Sequence, residues 1–138
     1  MRTTARPIRA TIPIHGEESL ATVHRVVDEA GQAMGYGLVD QTKLITAASE
    51  LVRNIVLYAG TGQVDVEEMD RGGRNGLRLI FTDQGPGIPD VGRAMQDGYS
   101  TGKGMGLGLP GTRRLVHEFA IDSAAGAGTR VTIILWKR

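Results

Sequence analysis

Read along the chain, apolar and polar positions change period several times. Residues 8–14 alternate Ile8, Ala10, Ile12 and Ile14 with polar or proline positions, which predicts a half-buried strand. Pro13 has no N–H to donate and places that strand at a sheet edge. From Glu17 the apolar set Leu20, Val23, Val26, Val27, Ala30 and Met34 follows helical spacing, and Gly35 and Gly37 close the helix. A second helix is predicted from an Asp40 N-cap to about Tyr58, with Leu44, Ala48, Leu51 and Ile55 inward. Residues 63–69 and 77–82 read as two strands joined by the polar turn DRGGRNG. DQGPGIPD is a loop, residues 88–103 are poorly periodic, and 109–119 reads as a helix with Pro110 in its first turn. Strands over 120–124 and 129–136 around the turn AGAG end the pattern. This order predicts a single α/β domain over 1–138, a two-layer sandwich with helices on one sheet face.

Composition narrows the function classes. The 138 residues suffice for one core, and a formal net charge of +1 points to no nucleic-acid or anionic-membrane partner. There is no cysteine, so disulfides and thiolate metal sites are excluded, and no apolar run approaches the roughly 18 residues of a membrane span. A cytoplasmic location is the expectation. Aromatic residues make up only 4% of the chain, so the core must be aliphatic. Glycine contributes 20 residues, concentrated from Gly60 onward, and no internal repeat explains them.

The densest glycines stand in GKGMGLGL, at 102, 104, 106 and 108. A strand or mid-helix there would be costly, so the pattern marks a close approach of backbone to something else, or a flexible surface loop. A P-loop fails, because three residues separate Gly98 from Gly102-Lys103 where four are needed and Gly104 follows the lysine. Gly106-Leu107-Gly108-Leu109-Pro110-Gly111 matches the dinucleotide fingerprint as text, without the preceding strand or the later acid. Elsewhere, Glu50 and Asn54 are four apart on the second helix, so a carboxylate and an amide oxygen share one face. That pair suits a base beside a magnesium ion, which takes oxygen ligands and keeps much of its water. Asp83-Gln84-Gly85-Pro86-Gly87-Ile88 follows a strand, where an acid can accept a hydrogen bond from an amino group while the glycines let a ring approach the backbone.

ELVRN, DQGPGI, GKGMGLGL and the late Gly128-Thr129 resemble, in order, the N, G1, G2 and G3 boxes of the GHKL ATP-binding superfamily of gyrase, Hsp90, histidine kinases and MutL. YAGTGQV, DGYSTGKGMGLGLPGTRRLVHEF and AGAGTRV look like the small serine-protein kinases of bacterial sigma-factor partner switching, of the stressosome type. The resemblance runs from about residue 44 to the end. It implies the Bergerat ATP-binding fold, a mixed, mostly antiparallel sheet with helices on one face and a lid over about 88–108. Glu50 is then the catalytic base, and Asn54 holds magnesium. Asp83 binds the adenine amino group with Thr129 helping, flanked by Gly85, Gly87 and Ile88. The backbone of Gly104, Met105, Gly106, Leu107 and Gly108 binds ATP phosphate at a helix start. Lys103 is a phosphate contact or a solvated lid lysine.

The implied activity is ATP-Mg-dependent phosphorylation of a serine on a STAS-domain antagonist, within a large signalling assembly such as the stressosome. The alternate target is a PP2C-type phosphatase or a sigma factor. The rival reading is a binding-only regulator or anti-sigma factor that sequesters its partner, for which Glu50 would be unnecessary. Of the remaining candidates, Glu50 could instead pair with Arg53 or Asn54. His15, His24 and His117 lack metal-ligand spacing and read as surface or satisfied residues. Arg113 and Arg114 could dock a partner or ATP phosphate, with a wet helix face as the default reading, and Trp136-Lys137-Arg138 reads as a strand end with a solvated tail.

Overall fold

The computed structural model describes residues 8–96 and 108–138. The elements run β1 (Arg9–Ile14), α1 (Ser19–Met34), α2 (Leu38–Tyr58), β2 (Gly62–Arg71), β3 (Arg74–Asp83), α3 (Val91–Ala94), α4 (Leu109–Leu115), β4 (Glu118–Ser123) and β5 (Thr129–Trp136). The five strands form one sheet in the order β1-β2-β3-β5-β4, with β1 at an edge as Pro13 demands. Among the described residues all four pairings are antiparallel, in keeping with the mostly antiparallel sheet expected.

The alternation of each strand explains the second layer. One face carries Ile12, Ile14, Val64, Val66, Leu79, Phe81, Ile133 and Leu135, all buried. Against them pack Val23, Val27 and Ala30 of α1 and Leu44, Ala48, Leu51 and Ile55 of α2, at the helical spacing expected for an inward stripe. The opposite face is covered by its own charges, including the Arg78–Glu67 and Arg71–Glu118 pairs. Tyr36, following α1, is tied into the sheet: its hydroxyl accepts from the Leu77 N–H and donates to the Leu135 carbonyl. Burial pushes its pKa up to about 12.

Four local expectations are corrected. The N-cap of α2 is Gly37; Asp40 lies in the first turn, buried, where Arg138 grips both its oxygens at 2.7 and 3.0 Å. The β2–β3 turn is only Gly72-Gly73, at φ +60° and +87°, the left-handed pair that a two-residue hairpin needs. Both strands therefore run through the polar stretch that read as loop. The helix expected over 109–119 ends at Leu115, because Phe119 pairs with Ile133 in the sheet. The strand does end at Trp136, but the tail beyond it is not merely solvated, since Arg138 reaches back to Asp40. Trp136 is 2% exposed, with Arg71 and Arg74 each 4.9 Å over its ring, and its indole N–H donates to Glu118.

The histidines conform to their reading. His15 is exposed, His24 is 2.6 Å from the Ser49 hydroxyl, and His117 Nδ1 accepts from the Trp136 N–H. Arg113 and Arg114 are exposed on α4.

Candidate active site

The C-terminal half of α2 lies over the end of the sheet where β3 stops and β5 begins. Antiparallel register sets Asp83, the last residue of β3, opposite Thr129, the first of β5. Residues 46 positions apart in sequence thus meet for a purely topological reason. Between them and α2 opens a cavity of about 690 Å³, its mouth included, lined by Asn54, Tyr58, Asp83, Gly87, Ile88 and Thr129 over an apolar floor of Leu51, Ile55, Phe81 and Val131. An apolar cleft with a few convergent polar groups is the usual form of a small-molecule site.

Asp83 is its most distinctive polar group. One carboxylate oxygen accepts the Gly85 N–H at 2.9 Å. Burial pushes the acid's pKa up, and the backbone N–H groups of Gly85 and Thr129 pull it partly back. A half-buried acceptor of this kind gains much from a donor brought by a ligand.

The glycines around Asp83 have other employment than admitting a ring. A Cβ on Gly85 would come within 2.7 Å of the Ala59 Cβ, at the end of α2. Gly87, at φ +76°, would drive one into the Ala124 carbonyl. Gly126 N–H also donates to the Pro86 carbonyl at 2.6 Å. The 84–90 loop is therefore fastened to the 124–128 turn, and close packing against the protein itself requires these glycines.

Glu50 stands one helical turn before Asn54. Its carboxylate lies against Gly108, where a Cβ would come within 2.7 Å of Glu50 Oε2, and it also pairs with Arg53 at 3.5 Å. The base and ion-pair readings of Glu50 are thus compatible, since a pair this exposed holds its partner only weakly. Gly108, at φ +69°, is the residue from which α4 starts. Its contact brings the end of the glycine-rich stretch to the acid of ELVRN.

Of the residues expected at the site, Asn54, Asp83, Gly87, Ile88 and Thr129 line one cavity. Gly85 holds Asp83 from behind, and Glu50 and Gly108 meet beside the cavity. Lys103, Gly104, Met105, Gly106 and Leu107 lie outside the described residues, as does most of the expected lid. Its described beginning holds the short α3, capped by Asp90 through the Arg93 N–H.

Sequence reasoning missed Tyr58, although its place four residues after Asn54 was the available signal. It also missed Ser123, which only the polar residue before the AGAG turn could have suggested. Among the described residues no three His, Asp or Glu side chains gather into a metal site. The donors present, the Asn54 amide oxygen and the Glu50 carboxylate, are hard oxygens, which fit magnesium bound largely through water and phosphate oxygens. No helix among the described residues is long and apolar enough to cross a membrane.

Comparison with known proteins agrees with this geometry. The family profile described as histidine kinase-, DNA gyrase B-, and HSP90-like ATPase matches residues 39–138. The chain is 44% identical over 130 residues to the serine/threonine-protein kinase RsbT of Bacillus subtilis, covering 94% of this chain and 98% of that one. In fold it resembles the crystal structure of the RsbU and RsbW domains of a Mycobacterium tuberculosis protein, with a TM-score of 0.64 at 22% identity. That match covers 99% of this chain but only 34% of the longer one. It also resembles the nucleotide-free catalytic domain of the histidine kinase ThkA, with a TM-score of 0.53 at 18% identity over 96% of this chain and 97% of that one. The cavity under α2, its acid at the end of β3 and the match over residues 39–138 agree: the chain belongs to the histidine kinase-, gyrase B- and HSP90-like ATPase family, beside the RsbT-type serine/threonine-protein kinases.

Proposed function

We propose that this protein transfers the γ-phosphoryl group of ATP to a serine of a STAS-domain antagonist protein, and that loss of the phosphorylated product frees it to activate a PP2C-type phosphatase. The observation that carries the reading is the meeting of Glu50 with Gly108, at the start of α4 and one turn from Asn54 on the cavity wall. In this reading adenine enters the cavity with its amino group on Asp83 and Thr129, Gly87 and Ile88 bordering it. Glycine-run amides, from Gly104 to Gly108, hold the phosphates, with Lys103 beside them.

Phosphoryl transfer asks chiefly for positioning and charge neutralisation. The seryl oxygen attacks the γ-phosphorus, the bond to the β–γ bridging oxygen breaks, ADP leaves, and the seryl proton passes to the Glu50 carboxylate. Asn54 would hold magnesium, which would supply neutralisation of phosphate charge when bound. A binding-only regulator would have no use for a carboxylate at this point, which is why transfer is preferred to sequestration.

The test is incubation of the protein with labelled ATP-Mg and the STAS-domain proteins of the same genome, followed by mapping of the labelled residue. Phosphoserine on one of them is expected, and Asn54→Ala and Asp83→Asn should both reduce it by weakening nucleotide binding. Absence of label on every STAS protein, with ATP bound, would favour sequestration.

A further inference from the structure

Ser123 ends β4 and stands behind Thr129, outside the wall of the cavity. Its hydroxyl is fully engaged. A carbonyl can only accept, so the contact with Gly128 O at 2.7 Å takes the one proton Ser123 has. An N–H can only donate, so the Ile88 N–H at 2.8 Å uses one lone pair. The remaining contact is Thr129 Oγ1, at 2.8 Å. With its own proton already placed, Ser123 can only accept there, and the Thr129 proton must point at Ser123. Thr129 is left with lone pairs alone to offer the cavity it lines. Asp83, its partner across the β3–β5 ladder, likewise offers acceptor oxygens.

We infer that Ser123 is a specificity-determining positioning residue: by holding Thr129 as an acceptor, it makes the polar end of the cavity a pair of acceptors suited to the 6-amino group of adenine and opposed to a 6-oxo purine. The inference rests on the ATP reading above and adds to it a reason for choosing the base. A 6-amino group has two N–H bonds, one for each acceptor. A 6-oxo group would set its own lone pairs against both half-buried acceptors, an opposition that commonly costs more than the loss of a single hydrogen bond. Without Ser123 the Thr129 hydroxyl can rotate and donate, and the opposition to a 6-oxo group is relieved.

The test compares ATP with inosine triphosphate, which carries a 6-oxo group and an N1–H where ATP has a 6-amino group and a bare N1, by titration into the full chain with magnesium. Wild type should bind ATP the more tightly, and Ser123→Ala should shrink the ATP-to-inosine preference by about tenfold, the size of one hydrogen bond. Ser123→Thr, which keeps the hydroxyl, should retain the preference. Equal weakening of both nucleotides in Ser123→Ala, with the ratio intact, would make Ser123 merely a fastening of the loop and overturn the inference. Should Ser123→Ala fold poorly, Thr129→Val reads the same quantity: an unchanged ratio there also overturns it. Wild type that binds both nucleotides alike contradicts this inference alone, whereas wild type that binds neither contradicts the ATP reading itself.

Discussion

Single residues carry opposite electrostatic signs in this fold. Asp83 has its pKa raised by burial, so protonation favours its folded environment. Asp40 has its pKa lowered, first by the hydrogen bonds from Arg138. A depressed acid stabilises the fold above its unfolded value of about 3.8, and that contribution is lost as pH falls through the lower folded value. Urea unfolding followed from pH 6 down to pH 2 should therefore show a loss of stability below about pH 4 that Asp40→Asn lessens. An identical acid profile in the two proteins would remove Asp40 from that role. Glu50, Asn54 and Asp83 were legible as candidates through the order of their motifs taken together, since each alone reads as well as an ordinary helix or turn residue. The role of Asp40 was not: an acid at a helix start reads as a cap, and its real partner is 98 residues away.

At the scale of elements, what fixes the site is the fastening of the 84–90 loop to the 124–128 turn. Gly87 combines a left-handed backbone with no room for a Cβ. Gly87→Ala should cost about 1–2 kcal/mol from backbone conformation alone, with further loss from the overlap at Ala124. Denaturant midpoints measure the first effect, and a weaker nucleotide titration should accompany it because Ile88 and Pro89 move with the loop. Unchanged stability would mean that the turn yields freely. Long periodic elements such as α2 and β5 were legible from pattern alone. The stretch 116–119 was not, since Val116 and Phe119 fit a helical stripe as well as a strand and only pairing with β5 decides between them. The β2–β3 hairpin was misjudged for a related reason: Asn75 and Gly76 look like turn residues, yet Gly76 is required where the Trp136 ring packs over the sheet.

For the whole molecule, three separated stretches and Gly108 come together because α2, β3, α4 and β5 run to one edge of the sandwich. Sequence order alone could not show this; a resemblance to a family with the same order of motifs could. The proposed antagonist and the proposed downstream target are both expected at the mouth of the cavity at that edge, so they should compete for it. Exposed Arg113 and Arg114 on α4 stand among the expected contacts. Phosphorylation adds roughly −1.5 to −2 charge to the antagonist serine, beside Glu50 and nucleotide phosphate, and should drive release. Pull-downs should recover unphosphorylated antagonist or target but not both together, and the phosphorylated form only weakly. A stable ternary complex would contradict the switch and leave the transfer chemistry untouched.

The central claim, that this site transfers phosphate and that Glu50 takes the proton, is tested most directly by one paired measurement on Glu50→Gln. ATP affinity is measured by titration, and label transfer to the antagonist serine is measured in the same protein. Affinity close to wild type with transfer reduced about 10²–10⁴-fold is the result predicted for loss of a general base. Transfer at a rate near wild type would contradict it.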